Sequence, residues 1–289
     1  MTTNSNEESL ARDFSGHNGV DSGYLGKEED PESALRRIKT AGSISISPEL
    51  FEKLYLSPQN AVKGDLRKTF GNPTPIALLG FLLSLSPLSC DLMGWRGAGG
   101  NGAADVGVYF FMGGLLMILG GVGEFLLGNT FPSVVFCSFG GFWLSFAATL
   151  TPSYNASGAY AEGDPIVGST SAGFTASFAF FLLFMGLLCF IYMICSLRTN
   201  IVFVVIFFTL VMGFTLLAAT YWQVANGNAV AAGKLQIAGG AFLFITCMAG
   251  WWIFFAQMLA SLDFPFQIPV GDLSTMIKSG TEIAANKRK

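Results

Sequence analysis

The chain has 289 residues, of which 52% are hydrophobic and only 12% charged, and its net charge is −3. A soluble domain is about 25% charged, so this composition excludes an ordinary soluble globule, and the small negative charge excludes a nucleic-acid-binding protein. The single histidine, His17, lies in the polar N-terminal region, so a site built from several imidazoles is excluded, and we predict no metal or cofactor.

The segments that flank the apolar region are polar. Residues 1–47 are acidic and contain many Gly and Ser residues, which predicts a disordered cytoplasmic leader. Residues 48–71 form a juxtamembrane segment in which Leu50, Phe51 and Leu54 recur at helical spacing. This spacing indicates either a short helix on the inner leaflet or a linker with incidental apolar residues. Residues 261–289 are predicted to be a cytoplasmic tail.

Six long apolar runs lie between these segments, in a predicted transmembrane domain over residues 72–260. A helix needs roughly 20 apolar residues to cross about 30 Å of hydrocarbon. The runs therefore predict spans at about 75–93, 106–127, 132–150, 172–196, 201–222 and 235–259. The alternative, six buried helices of a soluble protein, leaves no polar face to meet water. We predict an all-α, polytopic membrane protein with six transmembrane helices.

The basic residues predict the orientation of these spans. Nine of the 16 Lys and Arg residues precede the first span and four follow the last, and Arg198 falls on the same side. The positive-inside rule therefore places both termini in the cytoplasm. The sequence Asn155-Ala156-Ser157 is a glycosylation sequon in a loop that this topology puts outside, so Asn155 is a candidate glycosylation site.

Glu124 is a candidate for a proton-transfer or gating role, because ionisable groups at membrane depth are costly and mark function. It lies near the inner end of the second span. Two structural interpretations remain open: the carboxylate reaches the interface, or it caps the start of the third span near Asn129 and Thr130.

The residues before the first span predict an anion site. Asn72 is a good helix N-cap and Pro73 suits the first helical position. The first turn would then present free backbone N–H groups at the positive end of the helix dipole, where anions bind. An ordinary cap without a ligand is the alternative.

Several glycines within the spans predict close helix packing within or between subunits. They lie at positions 113, 114, 120, 121, 123, 140, 141, 239 and 240.

Three motifs carry a resemblance to a known family. Asn72-Pro-Thr-Pro-Ile-Ala-Leu78 resembles the Asn-Pro-Ala-Pro-Leu-Gly-Leu signature of the acetate uptake transporter family, the microbial acetate/succinate permeases. The similarity continues through Glu124–Phe131 and Cys137–Phe146. The long polar leader is similar to that of the fungal branch.

The resemblance implies a six-helix subunit in a hexameric ring in the plasma membrane, with a path through each subunit for small monocarboxylates. Passage would be channel-like or by proton symport. By motif matching, the implied site residues are Asn72, Pro73, Thr74 and Pro75 for substrate binding, Phe81, Phe139 and Leu210 for a hydrophobic constriction, and Ala249 for selectivity.

One departure from the family bears on the substrate. Phe139 stands where the family has Tyr, so the constriction loses a hydroxyl that would donate to a carboxylate. An all-apolar constriction favours a protonated acid.

We expect a transporter or channel for acetate-like acids, with the substrate, protons and lipid as its partners. A membrane sensor in acetate or acid-stress adaptation and an ammonia exporter are the alternatives. The short loops leave no room for a catalytic domain, so we expect no enzyme.

Overall fold

The computed structural model describes residues 24–25, 45–46, 70–273 and 277. Most of the predicted leader (1–47), juxtamembrane segment (48–71) and tail (261–289) therefore lies outside the described residues. Within the leader, two short strands, β1 (Tyr24–Leu25) and β2 (Ser45–Ile46), pair in parallel.

The prediction of six helices is confirmed. All six are long and apolar enough to cross a membrane. They are α1 (Thr74–Leu92), α2 (residues 106–126), α3 (Thr130–Leu150), α4 (Ala172–Ser196), α5 (Ile201–Ala225) and α6 (Ala229–Ser261). Short 3-10 helices and a five-residue helix, Pro165–Ser169, occupy the connections.

Helix α6 begins well before the predicted span at 235. The Asn228 side chain accepts a hydrogen bond from the Ala231 N–H at 3.2 Å and caps the helix. The hydropathy pattern marked only the apolar part of α6, because Lys234 interrupts that pattern without interrupting the helix.

Helix α2 is irregular. Tyr109–Leu116 is π-helical, between α-helical Val106–Val108 and Met117–Leu126. A Cβ added at Gly113 would lie 2.5 Å from Trp143 Cγ of α3, and one at Gly114 would overlap the Leu144 side chain. These glycines therefore pack α2 against α3 within one subunit.

The helices alternate in direction, so the bundle has two ends. We call the end that carries residues 70–74, 127–130, 197–201 and 262–273 the terminal face, and the end that carries residues 93–105, 151–171 and 226–228 the loop face. Helix α1 packs against α2 and α6, and α5 packs between α4 and α6. After α6 the chain returns along the terminal face, where Gly271 O accepts the Ile201 N–H at 2.7 Å.

The outer surface of the bundle is apolar. Large side chains such as Phe111, Leu119, Phe184 and Phe255 are about half exposed or more on α2, α4 and α6. Contiguous apolar surface of this extent is unstable in water and stable in lipid. The chain is a multi-pass membrane protein.

Candidate substrate path

A cavity of about 700 Å³ opens at the loop face. Aromatic rings from α3, α4 and α5 form its apolar part, and threonines and loop residues form its polar part. The lining includes Phe146, Thr149, Asn155, Ser157, Phe174, Thr175, Phe178, Thr220, Tyr221 and Gln236. We call this space the loop-face cavity.

The loop-face cavity narrows into a second space of about 50 Å³. The two spaces share six lining residues, Asn101, Phe146, Phe178, Thr220, Tyr221 and Gln236. The residues that line this throat alone are all apolar. They include Leu85, Leu88, Phe142, Leu182, Phe214, Leu217 and Leu243.

A third space of about 30 Å³ lies towards the terminal face. Its only polar lining residues are Thr74, at the start of α1, and Thr199, just before α5. The rest of this terminal-face pocket is Phe131, Pro132, Val135, Phe136, Phe203 and Phe207.

The three residues predicted for the constriction lie between the throat and the terminal-face pocket. Phe81, Phe139 and Leu210 are 6%, 4% and 2% exposed. On α3, Phe139 lies one turn from Phe136 of the pocket and one turn from Phe142 of the throat. On α5, Leu210 lies one turn from Phe207 of the pocket and one turn from Phe214 of the throat. On α1, Phe81 lies one turn from Leu85 of the throat.

The residue predicted for selectivity, Ala249, is half-buried against the core and directly precedes Gly250. A Cβ added at Gly250 would lie 2.7 Å from Leu82 Cδ2 and 3.3 Å from Phe81 Cε1. Sequence reasoning missed Gly250, a position where α6 packs closely against Leu82 and Phe81 of α1.

Glu124 links three helices at the terminal face. It is 1% exposed, and its carboxylate accepts hydrogen bonds from Thr74 Oγ1 and, at 2.6 Å, from Asn129 Nδ2. The Asn129 N–H also donates to the Glu124 backbone carbonyl at 2.9 Å. The carboxylate therefore joins the end of α2 to the starts of α1 and α3, and it does not project to the surface.

The start of α1 differs from the expected anion site. The helix begins at Thr74, and Asn72 Oδ1 accepts the Thr74 N–H at 2.9 Å. The N–H groups of Ile76 and Ala77 both donate to Pro73 O, at 3.1 and 3.4 Å, and Pro75 has no N–H. Free backbone N–H groups, on which the expectation rested, are thus absent from the first turn, because the Asn72 side chain and the Pro73 carbonyl use them.

A hydroxyl beside the constriction was also missed. Tyr192 of α4 lies 3.0 Å, between hydroxyl oxygens, from Ser138 of α3. Its ring packs at centroid distances of 6.3 Å from Phe139 and 5.6 Å from Phe207. The surroundings of the predicted constriction are therefore not wholly apolar. A tyrosine in an otherwise apolar span was the available signal.

Asn155, the predicted glycosylation site, lies on the loop face and lines the mouth of the loop-face cavity. Its side chain is exposed and its backbone is left-handed, with φ of 52°. The sequon serine, Ser157, is buried and donates to Pro165 O at 2.9 Å.

Comparison with known proteins identifies a family. The profile of the GPR1/FUN34/yaaH family matches residues 56–275. "Protein alcS" of Aspergillus fumigatus is 45% identical over 249 residues, which are 86% of this chain and 91% of that protein. "Acetate transporter protein patA" of Aspergillus clavatus is 32% identical over 71% of this chain and 80% of that protein.

Two further matches bear on function and fold. "Ammonia transport outward protein 2" of Saccharomyces cerevisiae is 29% identical over 83% of this chain and 86% of that protein. The solved structure of the bacterial acetate channel SatP shares the fold, with a TM-score of 0.53 and 23% identity over 70% of this chain and 99% of that chain. These matches confirm the family resemblance drawn from the three motifs.

Proposed function

The chain belongs to the GPR1/FUN34/yaaH family, and from this premise we propose that it is a plasma-membrane transporter or channel for short-chain monocarboxylates of the acetate type. One observation carries the proposal. A cavity from the loop face and a pocket near the terminal face approach each other, and a layer of apolar side chains separates them. This is the form of a gated path for a small solute, and we propose no catalytic step.

The apolar layer determines which form of the acid passes. A carboxylate without hydrogen-bond partners is very costly to bury, whereas the protonated acid is much less so. In our proposal the carboxylate takes up a proton from the solution as it enters the loop-face cavity. The neutral acid then passes Phe81, Phe139 and Leu210 and reaches the hydroxyls of Thr74 and Thr199. A narrow apolar segment also stops ions when it is empty of water.

The residues at the terminal face complete this proposal. Because the backbone N–H groups of the first turn are engaged, the substrate-binding role of Asn72, Pro73, Thr74 and Pro75 rests on the Asn72 amide and the Thr74 hydroxyl. Thr74 already donates to Glu124. Protonation of Glu124 would weaken that hydrogen bond, because a neutral carboxyl is a poorer acceptor than a carboxylate. The hydroxyl could then turn to the acid, which is how we propose that proton movement is coupled to passage.

Flux in proteoliposomes tests the proposal. Purified protein should move labelled acetate, propionate or lactate down a pH gradient, and empty liposomes should not. Leu210→Trp should block this flux because it fills the constriction, whereas Leu187→Trp, at a position 52% exposed on the outer surface, should leave it unchanged. Equal flux in both variants, or none in the wild-type protein, would reject the proposal.

Ammonia export is a second candidate, favoured by the match to the yeast ammonia transport protein. Labelled methylammonium in the same liposomes distinguishes the two, since a monocarboxylate path should not carry it. For the sensor alternative, deletion of residues 1–45 should remove a cellular acid-stress phenotype while leaving flux unchanged.

The proposal also includes the membrane orientation, the oligomeric state and a glycosylation site. Both termini are cytoplasmic, supported by the Lys and Arg distribution, and protease protection of terminal tags tests this. The subunits form a hexameric ring, as the family resemblance implies, and native mass measurement tests it. Asn155 carries a glycan, supported by its exposure on the loop face, and Asn155→Gln should remove a mobility shift.

A further inference from the structure

We propose that Gln257 of α6 is a binding residue for the carboxyl group of the substrate, and that it recognises the protonated acid. The inference rests on the proposed function and deepens it, because it assigns the polar contact on the terminal-face side of the constriction. No sequence motif pointed to this residue.

Gln257 ends a row of residues on the inner face of α6. The row runs Gly239, Leu243, Thr246, Gly250, Ile253 and Gln257, at alternating spacings of four and three. Two of its members show where it faces. Thr246 Oγ1 lies 2.7 Å from Thr209 Oγ1 of α5, and the Cβ position of Gly250 lies 3.3 Å from Phe81 of α1. The row therefore lies in the seam between α1 and α5.

Helix geometry places Gln257 at the level of the terminal-face pocket. It lies two turns beyond Gly250, and Thr74 lies two turns before Phe81 on α1, which runs in the opposite direction. Both separations are about 10 Å along the helix axis. Gln257 is thus level with Thr74, which lines the pocket and donates to Glu124, and it lies behind the residues that form the pocket wall in this structure.

The amide of Gln257 has no partner. The side chain is 3% exposed, and among the described residues neither Nε2 nor Oε1 has a hydrogen-bond partner. A buried amide without partners is costly, and the great majority of buried polar groups in proteins are satisfied. An apolar residue of the same length would pack here without that cost. The presence of an amide at this position therefore indicates that it binds a ligand.

The amide matches a carboxylic acid at both of its ends. Its N–H₂ donates to the carbonyl oxygen of the acid, and its oxygen accepts the O–H of the acid. A carboxylate matches only the N–H₂ and places its second oxygen against the amide oxygen. Ammonium has no acceptor for the N–H₂. Ammonia has a single nitrogen and cannot meet the N–H₂ and the oxygen of one amide at the same time as a planar carboxyl group does. The site therefore selects a small, neutral carboxylic acid.

Gln257→Met tests this inference, because methionine has similar length and no polar group. We expect the KM for acetate to rise about tenfold, because losing one hydrogen bond weakens binding by about that factor. The maximal rate should be retained. We also expect the melting temperature of the purified protein to stay equal or rise, because the orphan amide is removed. Gln223→Met, near the loop-face end of α5 and so at the opposite end of the bundle from Gln257, should leave the KM unchanged.

Ligand-induced stabilisation gives a readout that does not depend on transport. Acetate should raise the melting temperature of the wild-type protein below the pKa of acetic acid and not above it, and Gln257→Met should lose that shift. An unchanged KM and an unchanged shift would overturn the inference, as would a lower melting temperature with unchanged KM, which indicates a structural role. If the wild-type protein moves no acid, the proposed function fails instead, and that result is distinct from an active protein insensitive to Gln257→Met.

Discussion

Replacing Glu124 in two ways separates a proton-transfer role from a structural one. The carboxylate is 1% exposed and accepts hydrogen bonds from Thr74 and Asn129. In Glu124→Gln the amide oxygen can still accept from Asn129, and the amide N–H₂ can donate to the Thr74 hydroxyl, which also serves as an acceptor. In Glu124→Ala both contacts disappear.

The two variants should differ in stability. A hydrogen bond to a charged group contributes about 1.5–3 kcal/mol, so loss of both contacts in Glu124→Ala should cost about 3–6 kcal/mol. Glu124→Gln exchanges charged for neutral hydrogen bonds and should cost about 1 kcal/mol. Thermal unfolding followed by size-exclusion chromatography measures the order of the three proteins.

Transport then decides the role of Glu124. If the carboxylate takes up a proton during passage, Glu124→Gln should fold normally and lose the component of acetate flux that the pH gradient drives. Glu162→Gln, in an exposed position on the loop face, is the matched control and should behave as the wild-type protein. A folded Glu124→Gln protein with wild-type flux and pH dependence would refute the reasoning and leave Glu124 as a structural link.

Three further substitutions test the packing and the constriction. Gly120→Ala places a Cβ 2.6 Å from that of Ala77 and should lower the free energy of unfolding by about 1–3 kcal/mol. The control Gly141→Ala, whose added Cβ has nothing within 4 Å, should leave that free energy unchanged or raise it by up to about 1 kcal/mol. Equal melting temperatures for the two variants would contradict this packing. Phe139→Tyr adds a hydroxyl next to the Ser138–Tyr192 pair and should shift acetate uptake towards higher pH, where the acid is ionised; an unchanged pH profile would place Phe139 outside the path. Gly250→Val narrows the seam beside Phe81 and should slow uptake of propionate more than of acetate, and equal slowing would argue against a size filter at this level.

Much of the candidate site followed from sequence, although not its geometry. The residues of the apolar layer were predicted from the family motifs. Glu124 was identified as a candidate because charged residues are rare in the spans. Tyr192 and Gln257 were missed, because a hydroxyl or an amide in an apolar run does not disclose which helix it faces. The first turn of α1 was predicted with free N–H groups because Asn72 and Pro73 fit a standard cap, yet that cap itself engages the groups an anion would need.

The sequence by itself determined that this chain forms six membrane-spanning helices. Hydrocarbon requires a long uninterrupted apolar run for each crossing, and such runs are local properties of the chain. Only the tertiary structure decided which residues share a level in the bundle. It places Phe81, Phe139 and Leu210 between two cavities, joins three helices through Glu124, and buries Gln257 without a hydrogen-bond partner in the part of the chain that the structure describes. These relations depend on how helices distant in sequence rotate and shift against one another, and close contacts such as that of Gly250 with α1 set this arrangement.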